Sequence, residues 1–324
     1  MKIWNVGILG ASDIAFKRFL PALEKQKRFS FAGIASRDAA RCVPFIERFG
    51  GHCYPDYEAI LNDPKIDCVY VPLPPALHSC WGERTLNAGK HLLMEKPFTT
   101  SLKDTERLLK LAQKKGLAVH ENYMFQYHRQ LDEVERIIAG GELGETRMIR
   151  AAFTFPFRGA HDFRYQAALG GGALLDCGGY PLSLALRLLG DTCKLCWAGL
   201  NVPMAETVDT AGSAVLRNDT GLTAHIFFGM DDTYRCELEV WGSRASLVAS
   251  RIFTAPPDLS PELLIRNGNG CRTLCVEQDD QFYHSISKFA ALIEKPNERE
   301  RHCAQILKQS VLIEQIRAQN VKGC

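Results

Sequence analysis

Residues 7–15 read GILGASDIA, a turn containing glycine that follows an apolar run and precedes a helix-like segment. Such a turn between strand and helix is typical of a dinucleotide-binding site, because the first backbone N–H groups of the helix can bind a pyrophosphate. Gly10 permits the tight turn and Ala15 permits close helix–strand packing. Ser12 replaces the usual second glycine, so an ordinary strand–turn–helix of another α/β fold is the alternative. The residues predicted to contact a cofactor are Gly10, Ser12, Asp13 and Ile14.

The part of the chain up to residue 121 alternates short apolar runs with segments of helical periodicity. This alternation predicts βαβ units and a doubly wound parallel sheet with helices on both faces. The predicted strands are 3–9, 29–35, 68–71, 91–94 and 117–120, and the predicted helices are 14–25, 39–49, 76–88 and 102–114.

Beyond residue 121 the pattern changes to consecutive strand-like runs without intervening helices. Such a succession predicts an α+β domain with a large, mostly antiparallel open sheet. The predicted strands are 147–155, 210–216, 222–228, 235–241 and 272–276, and the predicted helices are 130–139, 281–293 and 303–318. We therefore predict two domains, residues 1–121 and 122–324.

Composition excludes several classes of partner for this chain. With 324 residues and a net charge of +2, it has no excess of positive charge to favour nucleic acid or an anionic membrane surface. No apolar run is long enough to span a bilayer, and the N-terminal residues do not form a good signal peptide. Twelve scattered cysteines without a signal peptide predict reduced thiols and a cytoplasmic protein.

Three further segments contain candidate catalytic or binding residues. The first is Ser36-Arg37, directly after the second predicted strand. An NAD site usually has a carboxylate here for the ribose diol, whereas a hydroxyl and a guanidinium suit a 2′-phosphate. The segment favours NADP(H) over NAD(H). The alternative is that Arg37 is a solvated loop residue.

The second segment is Glu95-Lys96-Pro97, directly after a predicted strand. The carboxyl ends of parallel strands form the edge where open α/β sheets bind ligands. A partly desolvated lysine there could donate a proton to a carbonyl oxygen during reduction. A surface lysine before a turn would show the same pattern.

The third segment is GGGALLDCGGYP, residues 170–181. Asp176 and Tyr180 are four residues apart, so they share one face if the segment is helical. A carboxylate and a phenol on one face could orient a hydroxylated substrate or the nicotinamide ribose. Helix capping by Asp176 and core packing by Tyr180 are the alternative.

The nine histidines form no recognised metal-binding motif, so we predict no metal site.

Together these motifs resemble the Gfo/Idh/MocA family of oxidoreductases along nearly the whole chain. The resemblance is strongest to nucleotide-sugar 3-ketoreductases, on the segments LPAL (20–23), ENYMFQYH (121–128), FTFP (153–156) and DFRYQ (162–166). It implies an NADP-binding Rossmann domain in residues 1–121 and a substrate-binding and oligomerisation domain in residues 122–324. It also implies that the Lys96–Pro97 bond is cis.

The same resemblance implies roles for individual residues. Leu73, His78, Lys96, Arg164 and Asp176 would contact the cofactor. Lys96, Tyr180 and Asp176 would act in catalysis, and Tyr180, Tyr234 and Tyr283 would lie near the sugar.

The resulting expectation is an NADPH-dependent reduction of a keto-sugar, a nucleotide-linked 3-keto-deoxyhexose, with Lys96 or Tyr180 as proton donor. A dihydrodiol or free-sugar dehydrogenase of the same family is one alternative, and a non-catalytic NADP-binding sensor is another. The run Ile226-Phe227-Phe228 makes a strand that is apolar on both faces, which predicts a homodimer or homotetramer formed sheet against sheet.

Overall fold

The glycine-rich turn follows the central strand of a six-stranded parallel sheet. The strands are β1 (Trp4–Leu9), β2 (Phe29–Ala35), β3 (His52–Tyr54), β4 (Cys68–Val71), β5 (His91–Met94) and β6 (Val119–Glu121). Their order in the sheet is β3-β2-β1-β4-β5-β6. The order reverses between β1 and β4, and the crevice at the carboxyl ends beside such a reversal is where ligands bind in open α/β sheets.

A computed structural model describes residues 2–204 and 206–322. The chain divides into two compact units. The first unit comprises the residues up to Tyr123 together with Phe282–Lys308, and the second comprises Met124–Gln281 and the residues from Gln309 onward. Each unit contains one of the two sheets.

Nine α-helices accompany the strands in the described part of the chain. They are α1 (Leu20–Leu23), α2 (Val43–Phe49), α3 (Tyr57–Asn62), α4 (His78–Asn87), α5 (Leu102–Lys115), α6 (Arg129–Ala139), α7 (Gly179–Leu189), α8 (Gln281–Glu294) and α9 (Arg299–Lys322). A π-helical turn precedes α1 at Ala15–Phe19, and another precedes α7 at Leu174–Gly178. The predicted helix 14–25 is therefore a π turn followed by a short α-helix with Pro21 in its first turn, where proline is tolerated.

The core of the first unit lies between its sheet and its helices. Val69, Val71, Leu92 and Met94 are fully buried members of it, as alternating βαβ units require. Phe289 on α8 stacks on Phe29 of β2 with ring centroids 5.9 Å apart.

The prediction that residues 282–308 belong to the second domain was wrong. This segment contains most of α8 and the start of α9, and both pack on the core of the first unit, with Ile306 buried in the same cluster as Leu92. An amphipathic pattern shows that a helix covers a core, but it does not specify which core.

The second unit is built on an eight-stranded sheet. The strands are β7 (Thr146–Thr154), β8 (Lys194–Asn201), β9 (Ala211–Arg217), β10 (Thr223–Gly229), β11 (Arg235–Gly242), β12 (Ala245–Ser250), β13 (Glu262–Asn267) and β14 (Gly270–Cys275). Their order is β14-β13-β12-β11-β7-β10-β9-β8. Only the β7–β10 pair is parallel. The predicted fold class, a parallel doubly wound sheet plus a mostly antiparallel open sheet, is confirmed.

One face of this sheet is covered within its own unit. Gly178, in the π turn before α7, lies so close to Phe228 of β10 that a Cβ on this glycine would be 3.0 Å from the phenyl ring. Ile226 and Phe228 are buried, whereas Phe227 between them is 42% exposed. The opposite face of the sheet therefore presents apolar side chains to solvent.

Candidate active site

The turn after β1 has the conformation that a phosphate-binding loop needs. Gly10 has φ +106°, and a Cβ there would lie 2.7 Å from the side chain of Leu73, so only glycine fits. Ser12 accepts a hydrogen bond from the Ala15 backbone N–H at 3.3 Å. Asp13 is exposed and pairs with Lys17 at 2.7 Å. Gly10 thus lies close to Leu73, and its carbonyl accepts from the Ser12 backbone N–H at 3.0 Å.

The residues after β2 lie next to this turn. Ser36 is buried and accepts from the Asp38 backbone N–H at 3.4 Å. Arg37 is exposed, and no described carboxylate forms an ion pair with it. Arg41 donates to the Ala11 carbonyl at 2.8 Å and so links the loop after β2 to the loop after β1. No sequence motif predicted this contact. The arrangement leaves the Arg37 guanidinium available for an anionic ligand.

Lys96 follows β5 at the carboxyl edge of the sheet, and the Lys96–Pro97 peptide bond is cis, as the resemblance implied. The neighbouring Glu95 carboxylate accepts from the Tyr70 hydroxyl and from the Asn122 amide, both at 2.6 Å, and from the Lys96 backbone N–H at 3.3 Å. Burial raises the pKa of Glu95, and the hydrogen bonds from Tyr70 and Asn122 oppose that rise. Lys96 therefore follows Glu95, whose carboxyl group accepts hydrogen bonds from several fixed donors.

A second carboxyl group lies nearby on β6. Glu121 is 8% exposed and accepts from the Phe98 backbone N–H at 2.6 Å. Burial raises its pKa to about 8, and the neighbouring Glu95 contributes to the rise. Glu121 is consequently harder to ionise than an ordinary glutamate, a property that sequence reasoning did not anticipate.

His78, the first residue of α4, is fully buried. Its Nδ1 lies 2.7 Å from the Pro97 carbonyl oxygen and its Nε2 lies 2.7 Å from the Leu73 carbonyl oxygen. Burial lowers its pKa, while the two carbonyls oppose that effect. His78 thus holds the backbone at Leu73 and at Pro97, the residue after Lys96. Leu73 and Lys96 are both predicted to contact the cofactor.

In the second unit, Asp176 and Arg164 form an ion pair. Arg164 donates from Nε to Asp176 at 2.7 Å and from Nη1 to Asp162 at 3.1 Å. Asp176 is 8% exposed and lies in the π turn Leu174–Gly178, a rare conformation that occurs most often at functional sites. The structure therefore joins two residues that the sequence assigned separately to the cofactor.

Asp209 holds the glycine-rich segment in place and was missed by sequence reasoning. Its carboxylate accepts from the Leu174 backbone N–H at 2.6 Å. Gly172 has φ +117°, and a Cβ there would lie 2.5 Å from the Asp209 carboxylate. The partner is 35 residues away in sequence, so no local pattern could reveal it.

The predicted tyrosines have different surroundings. Tyr180 is 5% exposed, and its ring lies 4.8 Å from that of Phe153 and 5.7 Å from that of Phe125, centroid to centroid. Tyr234 is 44% exposed and lies 3.1 Å from the Thr254 hydroxyl. Tyr283 lies on α8 in the first unit, outside the domain to which it was assigned.

Within residues 2–204 and 206–322, no three His, Cys, Asp or Glu side chains are grouped so that they could hold a metal ion. No described helix is both long and apolar enough to cross a bilayer.

Comparison with known proteins matches two family models to the chain. Residues 4–123 match the model described as an oxidoreductase family with an NAD-binding Rossmann fold. Residues 131–248 match the C-terminal domain of the Gfo/Idh/MocA family.

Individual relatives match over nearly the full length. A dTDP-3,4-didehydro-2,6-dideoxy-alpha-D-glucose 3-reductase from Actinomadura kijaniata is 39% identical over 313 residues, covering 97% of this chain and 94% of the relative. The enzyme of the same name from Streptomyces violaceoruber is 37% identical over 322 residues, covering 97% and 94%. A crystal structure of a 3-ketoreductase from Actinomadura kijaniata with NADP and TDP-benzene has a TM-score of 0.95 at 38% identity, covering 98% of both chains. The predicted resemblance is confirmed, and the chain belongs to the Gfo/Idh/MocA oxidoreductase family.

Proposed function

We propose that this protein is an NADPH-dependent reductase of a nucleotide-linked 3-keto-deoxyhexose. The observation that carries the proposal is the placement of Lys96 directly after β5, at the carboxyl edge of a sheet that also bears a dinucleotide-binding turn. Relatives named as 3-reductases of a dTDP-linked keto-deoxysugar align with 97% of the chain, which supports the substrate class.

The first unit has features that fit NADP(H). Gly10 has φ +106° and a Cβ there would lie 2.7 Å from Leu73, so glycine is required for the tight turn before the helix N-terminus at which a pyrophosphate would bind. Ser36 and Arg37 would hold the 2′-phosphate, and His78 would keep the Leu73 backbone in place. When bound, the reduced cofactor supplies the hydride that reaches the carbonyl carbon.

Reduction of a ketone also requires a proton at the oxygen. We assign this proton to the Lys96 ammonium, which would donate it to the carbonyl oxygen as the C–O π electrons move onto that oxygen. Lys96 would then be neutral and would take up a proton before the next turnover. Each cycle consumes one ketone, one hydride and one proton and yields one alcohol.

The second unit supplies the proposed orienting residues. Tyr180 would orient the sugar through its phenol, because its ring is fixed by Phe125 and Phe153. Asp176, held by Arg164, would contact the cofactor together with that arginine. Tyr234 and Tyr283 are proposed to lie near the sugar.

Turnover with a matched set of substrates tests this function. Purified protein is mixed with NADPH, and loss of the reduced-nicotinamide absorbance is followed with a dTDP-linked 3-keto-deoxyhexose, the corresponding free keto-sugar and a dihydrodiol with NADP⁺. We expect turnover with the nucleotide-linked ketone to exceed turnover with the other two. Faster oxidation of the diol, or NADPH binding without turnover of any substrate, would contradict the proposal.

We further propose a homodimer or homotetramer formed through the exposed face of the second sheet. Trp197, Phe227 and Trp241 are 55%, 42% and 44% exposed, and an apolar sheet face of this kind is usually covered by a partner. The cytoplasm is the proposed compartment, which is supported by the free thiols of the described cysteines.

A further inference from the structure

A continuous chain of hydrogen bonds crosses the interior of the first unit and ends on Glu95. His302 Nε2 lies 3.1 Å from His120 Nδ1, and His120 Nε2 lies 2.8 Å from Ser285 Oγ. Ser285 Oγ lies 2.7 Å from Asn122 Oδ1, and Asn122 Nδ2 lies 2.6 Å from Glu95 Oε1. The chain therefore connects α9, β6 and α8 to the residue beside Lys96.

The chemistry of the groups fixes the direction of every bond in this chain. A carboxylate only accepts, so Asn122 directs its amide N–H groups at Glu95 and its carbonyl oxygen at Ser285. Ser285 must then donate to Asn122, which leaves its oxygen to accept from His120 Nε2–H. With its proton on Nε2, His120 accepts at Nδ1 from His302 Nε2–H. All four bonds donate towards Glu95.

Both histidines fit this scheme as neutral rings. Burial lowers the pKa of His120 well below its ordinary value and lowers the pKa of His302 to about 4. Each neutral ring has one donor and one acceptor nitrogen, which is what a one-way chain requires.

Glu95 is the natural end of such a chain. Besides Asn122 it receives the Tyr70 hydroxyl at 2.6 Å and the Lys96 backbone N–H at 3.3 Å. We propose that Tyr70, Asn122, Ser285 and His120 are positioning residues that keep Glu95 ionised and fixed beside Lys96. Its negative charge stabilises the Lys96 ammonium, so the proposal rests on Lys96 being the proton donor in the proposed function.

The other charged and titratable groups around Glu95 agree with this role. Burial raises the pKa of Glu121 on β6 to about 8, and the nearby Glu95 contributes to that rise. Tyr70 on β4 faces Glu95 directly, and Lys96 follows it in the chain. His78 on α4 lies close to Lys96; burial lowers its pKa, while hydrogen bonds to the Pro97 and Leu73 carbonyls oppose that effect. Lys96 is thus the cation that favours ionised Glu95.

Ser285→Ala tests the chain, and Ser287→Ala on the same helix is its control. The control removes a hydroxyl that accepts from Gln26 and donates to the Tyr283 carbonyl, both at 2.9 Å, without touching the chain. The protonation of Glu95 is followed by NMR of protein labelled with ¹³C-glutamate, with the signal identified through Glu95→Gln.

We expect Ser285→Ala to raise the titration midpoint of Glu95 by about half a pH unit, because Asn122 loses its anchor. Tyr70→Phe, which removes a direct donor and keeps the ring, should raise it by roughly one unit or more. Ser287→Ala should leave it unchanged, and Ser285→Thr, which keeps the hydroxyl, should restore the wild-type midpoint. The acid limb of the kcat profile should move to higher pH by the same amounts, with little change in the KM for NADPH.

Equal midpoints in Ser285→Ala, Tyr70→Phe and wild-type protein would overturn the proposal. Should Ser285→Ala fail to fold, Tyr70→Phe alone decides the question. Because the NMR titration requires no turnover, it separates failure of this inference from failure of the proposed function, which would appear as wild-type protein that reduces no keto-sugar.

Discussion

Asp176 accepts a hydrogen bond at 2.7 Å from the Nε of Arg164, although twelve residues and a glycine-rich loop separate them. Both side chains are largely buried, at 10% and 20% exposed. The same arginine also reaches Asp162 at 3.1 Å. One guanidinium therefore ties the loop before the glycine run to the π turn that follows it.

Asp176→Asn should weaken this tie and lower kcat/KM. The amide keeps the shape but loses the charge, so a buried charge-assisted hydrogen bond becomes a neutral one. We expect the free energy of unfolding in urea to fall by roughly 1–2 kcal/mol. Asp162→Asn is the control, since Arg164 keeps its bond to Asp176 there. Equal losses of stability and activity in both variants would show that Asp176 has no special role.

Arg37→Ala should discriminate between the two nicotinamide cofactors. Only NADPH carries the 2′-phosphate, and one charge-assisted contact is worth roughly 1.5–3 kcal/mol. The Kd for NADPH should therefore rise by about ten- to a hundredfold, while the Kd for NADH stays nearly constant, as measured by fluorescence titration. Arg18→Ala, another exposed arginine of the first unit, should change neither value. A parallel loss for both cofactors would assign Arg37 another role.

The strands of the first sheet were predictable because buried parallel strands are continuous apolar runs. The predicted ranges 29–35, 68–71 and 91–94 agree with β2, β4 and β5 residue for residue. Four strands were missed, namely β3, β8, β12 and β13. β3 and β8 are edge strands, and β3 has only three residues, whereas β12 and β13 alternate buried and less buried residues over only six positions each. Local pattern is therefore most informative for fully buried parallel strands.

The candidate site was predictable only as far as its motifs are local in sequence. Gly10, Lys96 and Asp176 lie in short segments whose residue types indicate a binding or catalytic role. Asn122 and Ser285, by contrast, are ordinary polar residues 163 positions apart, and only the fold brings them into one hydrogen-bond chain. Tyr283 was assigned to the wrong unit for the same reason, because sequence does not show which core a helix covers.

The buried histidine pair should make stability depend on pH. His302 has an ordinary pKa of 6.5, which burial lowers to about 4. Between these values the unfolded chain binds a proton that the folded protein excludes, so the stability present above pH 6.5 is lost as the pH falls towards 4. The shift corresponds to about 3 kcal/mol.

Urea unfolding at a series of pH values measures this loss. His302→Gln removes the titration and keeps an N–H donor for His120, so stability should fall less steeply between pH 6.5 and 4. His52→Gln changes an exposed histidine and should keep the wild-type slope. An unchanged slope in His302→Gln would mean that His302 is not excluded from protonation in the folded protein.

Phe227→Glu should dissociate the proposed oligomer. Phe227 lies on the exposed face of β10, directly opposite Ala152 of β7, and a carboxylate there would have to be buried without a partner. Light scattering at micromolar concentration should give a multiple of 36.2 kDa for wild-type protein and the monomer mass for the variant. Val43→Glu, at an exposed apolar residue of the first unit, is the control. Monomeric wild-type protein would contradict the assembly.

Substitution of Lys96 and of Tyr180 distinguishes the proton donor from the orienting group. Lys96→Met keeps much of the side-chain volume but has no acid, so kcat should fall by about 10²–10⁴, the usual contribution of general acid catalysis, with folding retained. Tyr180→Phe keeps the ring among Phe125, Phe153 and Phe253 and removes only the hydroxyl. If the phenol orients the sugar, its loss should be smaller and should appear partly in KM. Near-normal kcat in Lys96→Met together with an inactive Tyr180→Phe would reverse the assignment and make the phenol the acid.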